Sequence, residues 1–232
     1  LGNGRALPPI TIGVQPRGIQ VGDLDLDGDL DVVTANLSSH DLSLIFNDGA
    51  GGAARVETLD LQSGTQPRYV VTTDLDADGD LDLAVVARAS DELWTFRNDG
   101  TGSFELWQIQ ACCANPHSVA SGDLDGDERP EVIVGCLSWT VQIHGNDGTG
   151  TLEQPIDFSS PWAPAHLELG DLDGDGRLDI GIVNTSGQPE SIHLATFLNR
   201  TGGRAAANPA PRAPTPPSDA REPIRPSTSR FP

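Results

Sequence analysis

Apolar residues in this chain come in short bursts, alternating with polar residues or running continuously. Each burst is closed by glycine, proline, asparagine or aspartate, and the whole series recurs four times in the same order. Each round opens on a proline (Pro16, Pro67, Pro116, Pro164) followed by an alternating segment with residues such as Ile19, Val21 and Val119, the pattern of a strand. An acidic loop comes next. It exits into a continuous apolar run, Val32-Val33-Thr34, Leu83-Ala84-Val85-Val86, Val132-Ile133-Val134 or Ile180-Gly181-Ile182-Val183, as expected of a strand buried on both faces. A third strand is predicted over 42–46, 93–96, 140–143 and 192–198. It ends at a hairpin signal, Asn47-Asp48-Gly49, Asn98-Asp99-Gly100, Asn146-Asp147-Gly148 and a weakened Asn199-Arg200-Thr201-Gly202. A fourth is predicted over 55–61, 104–109 and 152–158.

Each round therefore predicts a four-stranded antiparallel meander, and the acidic loops set the spacing at 51, 49 and 48 residues. A lone meander cannot bury both of its faces, so such units must stack. Radial stacking of four-stranded sheets predicts an all-β fold, a β-propeller; an open solenoid, the competing architecture, usually has fewer strands per repeat. At the N-terminus, Leu1–Gly4 reads as a turn and Ala6–Ile12 as a fourth strand without the rest of its unit, whereas the fourth unit has no convincing fourth strand after Gly203. Two closures follow. Either the N-terminal strand completes a four-bladed ring, or the chain is a fragment of a larger propeller with exposed edges. The repeats occupy 1–203. Residues 204–232, with eight prolines, are expected to be a disordered or polyproline-like tail.

The acidic loops run Asp23–Asp31, Asp74–Asp82, Asp123–Glu131 and Asp171–Asp179, with carboxylates at positions 1, 3, 5 and 9. So many carboxylates in so short a loop repel one another unless a cation sits among them. Oxygen-only ligands and a glycine turn suit a hard divalent ion, Ca2+ ahead of Mg2+. A solvated hairpin tip would explain one such loop, but not four copies at matched spacing. An EF-hand needs Glu at position 12, where this chain has Thr34, Val85, Val134 and Ile182.

The DxDxDGxxD loop between strands, with an NDGxG turn after the third strand, resembles the FG-GAP and VCBS repeats of bacterial surface and secreted proteins and of the integrin alpha propeller. The likeness covers 1–203. It implies that each loop joins the first two strands of a blade and binds Ca2+ on one face of the disc, through side chains at positions 1, 3, 5 and 9 and the carbonyl at 7. The implied ligands of the first loop are Asp23, Asp25, Asp27 and Asp31 with the Asp29 carbonyl. Those of the second are Asp74, Asp76, Asp78 and Asp82 with Asp80. Those of the third are Asp123, Asp125, Asp127 and Glu131 with Arg129, and those of the fourth Asp171, Asp173, Asp175 and Asp179 with Arg177. The third loop departs from the pattern, with Glu128 in place of the glycine and Glu131 at position 9, and is expected to be the weakest site. No unit shows Phe-Gly followed by Gly-Ala-Pro, which favours the VCBS-like bacterial branch.

Composition narrows the function. The formal charge is −20, and Arg is the sole strong base, since there is no Lys. Nineteen acids lie in the four loops, so four calcium ions would cancel eight charges. Such acidity argues against nucleic acid or an anionic membrane surface as partner, and no apolar run reaches the ~20 residues of a membrane span. The chain starts at Leu1 inside a turn, the mark of a fragment or processed form. On the face opposite the loops the sequence places Arg17, Arg68, His117 and His166 near the inner blade ends, and His40, Trp139 and Trp162 in outer turns. That group suits an acidic or hydroxyl-rich ligand; alternatively the arginines pair with aspartates and Trp94, Trp107 and Trp139 pack between sheets. Cys136 and one of Cys112 and Cys113 suit a disulfide in an oxidising compartment, against a vicinal bridge or free thiols. Asn36, Asn184 and Asn199 head glycosylation sequons.

No GxSxG, HExxH or P-loop is present. The expected function is a non-enzymatic, calcium-stabilised binding or adhesion module for protein or carbohydrate, located at the cell surface, in the periplasm or outside the cell. The alternatives are an ancillary propeller of a polysaccharide lyase or hydrolase, with His117 or His166 as base, and a structural spacer.

Overall fold

A computed structural model describes residues 8–184 and 194–199. Proline, which fixes φ, opens the first strand of every unit, and β-branched runs fill the second strands. Blade one comprises β1 (Pro16–Gly22), β2 (Asp31–Asn36), β3 (Asp41–Asn47) and β4 (Ala53–Asp60). Blade two comprises β5 (Pro67–Thr73), β6 (Asp82–Ala87), β7 (Glu92–Asn98) and β8 (Phe104–Ala111). Blade three comprises β9 (Pro116–Gly122), β10 (Glu131–Cys136), β11 (Thr140–His144) and β12 (Ile156–Ser159). Blade four has three described strands, β13 (Pro164–Gly170), β14 (Asp179–Asn184) and β15 (Leu194–Phe197). All pairings are antiparallel between sequence neighbours, and no helix occurs among the described residues. The fold is an all-β, four-bladed β-propeller.

The first strand of every blade carries a β-bulge one residue past its proline. Pairing skips Arg17, Arg68, His117 and Ala165 in turn. A bulge frees one residue from the ladder and re-aims its side chain.

Consecutive blades bury their faces against each other in three cores. The first joins Leu24, Val33, Leu42 and Phe46 of blade one to Val70, Leu83, Val85 and Trp94 of blade two. The second joins Leu75, Val86 and Leu93 to Val119, Val132 and Val134, and the third joins Leu124, Ile133 and Val141 to Leu167, Ile180 and Ile182. Among the described residues no fourth core joins blade four to blade one. Ile19 is accordingly 66% exposed where its counterparts Val70, Val119 and Leu167 are buried, and Leu172 is 54% exposed where Leu24, Leu75 and Leu124 are buried.

Two sequence expectations are corrected. The segment 152–158 is not one strand: Asn146 and Leu152 form an isolated bridge and β12 begins only at Ile156, because Pro155 has no N–H to offer the ladder. Residues 8–12, the described part of the proposed closing strand, form no strand. The chain just after them sits on blade one itself, where Gly13 N–H donates to Ser43 Oγ (3.1 Å) and Val14 N–H to Ser39 Oγ (2.9 Å). Residues 1–7, the tail 204–232 and the start of the strand expected over 192–198 lie outside the described residues.

Cys113 and Cys136 form a disulfide that ties the segment before β9 to the end of β10, and Cys112 remains a free thiol. Burial, then Asp91 and Glu92, push the Cys112 thiol up to about 12. Reduction of the bridge, which spans 23 residues, is expected to lower unfolding free energy by about 3 kcal/mol. Denaturant melts with and without a phosphine reductant measure this.

His144 on β11 is fully buried, and neither ring nitrogen has a hydrogen-bond partner. Burial lowers its pKa to about 4, while Asp157 opposes the shift. The unfolded chain therefore takes up this proton first as pH falls below ~6.5, so stability is full above that pH and declines between ~6.5 and ~4 by about 1 kcal/mol per unit. His144→Leu is expected to flatten this part of the stability-versus-pH curve; an unchanged slope counts against it.

Candidate metal centres

Each acidic loop is shaped by hydrogen bonds between its own carboxylates and backbone. Positions 4 and 6 both adopt left-handed backbone: Leu26 and Gly28, Ala77 and Gly79, Gly126 and Glu128, Gly174 and Gly176. This curl turns backbone N–H groups inward, and the carboxylates accept them. The position 1 carboxylate accepts the N–H of position 6, as Asp23 does from Gly28 (3.1 Å), Asp74 from Gly79 (3.1 Å), Asp123 from Glu128 (2.9 Å) and Asp171 from Gly176 (2.9 Å). The position 5 carboxylate accepts the N–H of position 7, from Asp29, Asp80, Arg129 and Arg177 to Asp27, Asp78, Asp127 and Asp175.

Position 9 is the most deeply held. Asp31, Asp82, Glu131 and Asp179 are all buried, and each accepts the N–H of position 2, from Leu24, Leu75, Leu124 and Leu172 at 2.7–2.9 Å. In blades one, two and four the second oxygen accepts from the asparagine at or just past the end of the third strand: Asn47 (2.8 Å), Asn98 (2.9 Å) and Asn199 (2.7 Å). These residues were read from sequence only as ligands; the structure shows them stapling the loop to the sheet.

The side chains at positions 1, 3 and 5 converge. Ligand-capable oxygens of Asp23, Asp25 and Asp27 lie within 4.8 Å of one another, as do those of Asp74, Asp76 and Asp78 and of Asp123, Asp125 and Asp127. In the fourth loop the convergent set is Asp171, Asp173 and Asp179. One oxygen each of Asp23, Asp25, Asp74 and Asp76 is buried without any hydrogen-bond donor, and burial raises the pKa of Asp25 and Asp76. Burial first, then Asp78, raises Asp80 to about 6; burial also raises Asp82 to about 6 and Glu131 to about 7. Orphaned, desolvated carboxylate oxygens are what a bound cation satisfies, so these residues fit a metal ion. At position 7 the side chains of Arg129 and Arg177 fold back onto Asp127 and Asp175, while Arg97 reaches Asp76 (2.7 Å) and Asp78 (3.1 Å) and Arg55 reaches Asp25 (3.6 Å).

The asparagine of each NDG signal does more than turn a hairpin. Asn98 Nδ2 donates to the Leu24 carbonyl of blade one and Asn146 Nδ2 to the Leu75 carbonyl of blade two, both at 2.8 Å, and Asn199 Nδ2 donates to Leu124 of blade three. Sequence reading missed these bolts, because a turn motif carries no sign of what lies across the interface. All four loops are thus fastened to their own sheets, and the first three also to the next blade.

The tryptophans divide between the two ends of the blades. Trp94 is buried and donates to Glu92, and Trp107 lies at the acidic-loop end under the Arg97 guanidinium (4.9 Å). Trp162 is half-buried, and Trp139 is 59% exposed. His40 Nδ1 accepts the Gln66 N–H, and His166 Nε2 meets Glu168 at 2.9 Å. Asn36 and Asn184 are buried, and Asn199 is bonded across an interface, so none of the three sequons presents an open acceptor.

A propeller whose blades each carry a DxDxDG-type loop between the first two strands defines a class of repeat proteins. The chain belongs to the FG-GAP-like repeat family, whose sequence pattern matches 23–85, 74–134 and 125–182. No curated protein matches the chain. Among solved structures it is similar to BBS1N in its complex with ARL6DN (15% identity, TM-score 0.54, covering 82% of this chain and 58% of that one). It is similar also to virginiamycin B lyase from Staphylococcus aureus (15%, 0.51, 81% and 57%). A third is an Agrocybe aegerita lectin that recognises non-reducing terminal N-acetylglucosamine (20%, 0.50, 78% and 51%). The chain spans little more than half the length of these neighbours, and at such identities the likeness is one of fold.

Glu128 holds φ at 68°, a conformation in which a Cβ costs about 1 kcal/mol, where the other loops have glycine. Glu128→Gly is expected to raise the unfolding free energy by about 1 kcal/mol, the equivalent of that strain. Denaturant melts against the parent check it, with an unchanged or lower midpoint as the contrary result.

Proposed function

We propose that the chain is a calcium-stabilised, non-enzymatic binding module of a surface-exposed, periplasmic or secreted protein, presenting its ligand on the face opposite the acidic loops. The observation that carries the calcium assignment is the buried, donorless oxygen on each of Asp23, Asp25, Asp74 and Asp76. The ligand sets are those read from the sequence at positions 1, 3, 5 and 9, with the carbonyls of Asp29, Asp80, Arg129 and Arg177. Calcium rather than magnesium follows from an all-oxygen set supplied almost wholly by protein. When bound, the ion offsets carboxylate repulsion and holds the first two strands of each blade together, a stabilising role.

Two features support a binding role over catalysis. The position 9 carboxylates are committed to backbone donors, and the side chains at positions 1 and 5 each hold a loop N–H, so the loops are organised to grip an ion. On the opposite face His117 is bonded through Nδ1 to the Ala165 carbonyl (2.8 Å), and burial, then the neighbouring arginines, lower its pKa. Among the described residues no side chain orients it as a general base toward a nucleophile. The Cys113–Cys136 disulfide supports an oxidising, extracytoplasmic location, and among the described residues no helix is long and apolar enough to cross a membrane.

Millimolar calcium is expected to raise the melting temperature by several degrees over the chelated protein, since an ion that binds only the folded state stabilises it by mass action. Asp25→Asn and Asp76→Asn are each expected to remove part of that gain. Identical melting curves in calcium and in chelator sink the assignment.

A further inference from the structure

The seven described arginines divide into two sets at opposite ends of the blades. Arg55, Arg97, Arg129 and Arg177 all meet aspartates of the acidic loops. Arg17, Arg68 and Arg88 sit at the other end, and none of the three has a carboxylate within ion-pair distance among the described residues, in a chain whose formal charge is −20. Arg17 and Arg68 are the bulge residues of β1 and β5, and His117 is the bulge residue of β9. Arg88 directly follows β6, its N–H bonded to the Gln66 carbonyl beside the start of β5 (3.0 Å). Gln15, Gln66 and Asn115, two residues before each bulge position, all hold left-handed backbone, so the turn into each inner strand is shaped alike in the three blades.

These cations crowd one another. Arg68 is partly buried, and its Nε is sealed from solvent with no acceptor. Burial, then Arg88 and Arg17, lower its pKa, and burial followed by the repulsion of Arg68, Arg88 and Arg17 lowers that of His117. Repulsion between guanidinium groups, and an orphaned buried donor, both work against the fold unless an acceptor arrives. Aromatic rings gather beside them. The Tyr69 ring centroid lies 6.3 Å from that of His117 and 5.7 Å from that of His166, so side chains of blades two, three and four converge over the inner strands.

We propose that this end of the inner strands is a binding site for an acidic saccharide, its carboxylate or sulfate held by Arg17, Arg68 and Arg88. The planar guanidinium fork matches both anions bidentately. Tyr69, next to Arg68 in the chain, offers its hydroxyl to the sugar hydroxyls, and the exposed Trp139, in the β10–β11 turn at the same end, offers a flat face for a further sugar ring. A saccharide rather than an acidic peptide is favoured because this end also carries the Tyr69 ring and the 59% exposed Trp139, flat faces of the kind on which sugar rings stack. The site rests on the reading of the propeller as a binding module and names the chemistry of its ligand.

The test is calorimetric titration of the calcium-loaded chain with tetragalacturonate, a heparin-derived tetrasaccharide, neutral galactotetraose and hexaglutamate. At least one acidic saccharide is expected to bind, with the neutral sugar and the peptide each at least tenfold weaker. Arg68→Gln and Arg17→Gln are each expected to weaken that binding about tenfold, the loss of one charge-assisted contact, while the melting temperature holds or rises as repulsion is relieved. Failure of both acidic saccharides overturns the proposal. Equal binding of the neutral sugar removes the anion site but leaves the binding-module reading standing. Hexaglutamate binding as tightly as either saccharide shows the partner to be an acidic protein and overturns the saccharide assignment. Unchanged affinity in both variants, with their melting curves intact, refutes the arginine site directly.

Discussion

The buried carboxylate at the ninth position of each loop is the interaction on which the architecture turns. It accepts the N–H of the loop's second residue in all four units and, in three of them, the N–H of the asparagine at or just past the end of the third strand. Burying a carboxylate is costly unless donors surround it, and here each donor comes from a different part of the blade. The residue therefore fixes loop to sheet. Because the same asparagine in blades two and four also donates across the interface to the preceding loop, and Asn146 does so in blade three, the fixing extends from blade to blade.

This arrangement explains why an ion in the loops would matter to the whole disc. A cation drawn to positions 1, 3 and 5 tightens a loop whose second residue is buried in the interblade core and whose backbone carbonyl receives the neighbour's asparagine. Loop order and blade stacking are thus coupled through short hydrogen-bonded links. The fourth loop lacks that cover: Leu172 and all three convergent aspartates but Asp179 are exposed, and Asp171 has its pKa lowered by backbone N–H groups of its own loop, Gly176 foremost. The loops are chemically alike in sequence and unlike in setting.

The molecule also separates its charge. Acids crowd one end of the blades, attended by four of the described arginines, and the remaining three arginines gather at the other end beside histidine and tyrosine rings. The strand reversal of a meander produces this polarity automatically, since the loops between first and second strands and the turns between second and third must point opposite ways. Among the described residues, an acidic face and a face richer in unpaired arginine follow from one topology.

What the sequence alone determined was whatever repeats with a local signature. The four units, the order of strands within them, the acidic loops and the NDG turns are legible because alternation, glycine and carboxylate spacing act over a few residues. Glu128 and Pro155 show the same logic in their exceptions, each altering only its own loop or strand. The tertiary structure alone decided what depends on a partner distant in the chain: that Asn98 crosses to Leu24, that Cys113 rather than Cys112 reaches Cys136, that the segment after residue 12 settles on blade one, and that Arg88 joins Arg17 and Arg68. Such contacts are set by how blades stack, and stacking is driven by burial of apolar faces, which specifies that neighbours meet but not which polar side chains are brought together when they do.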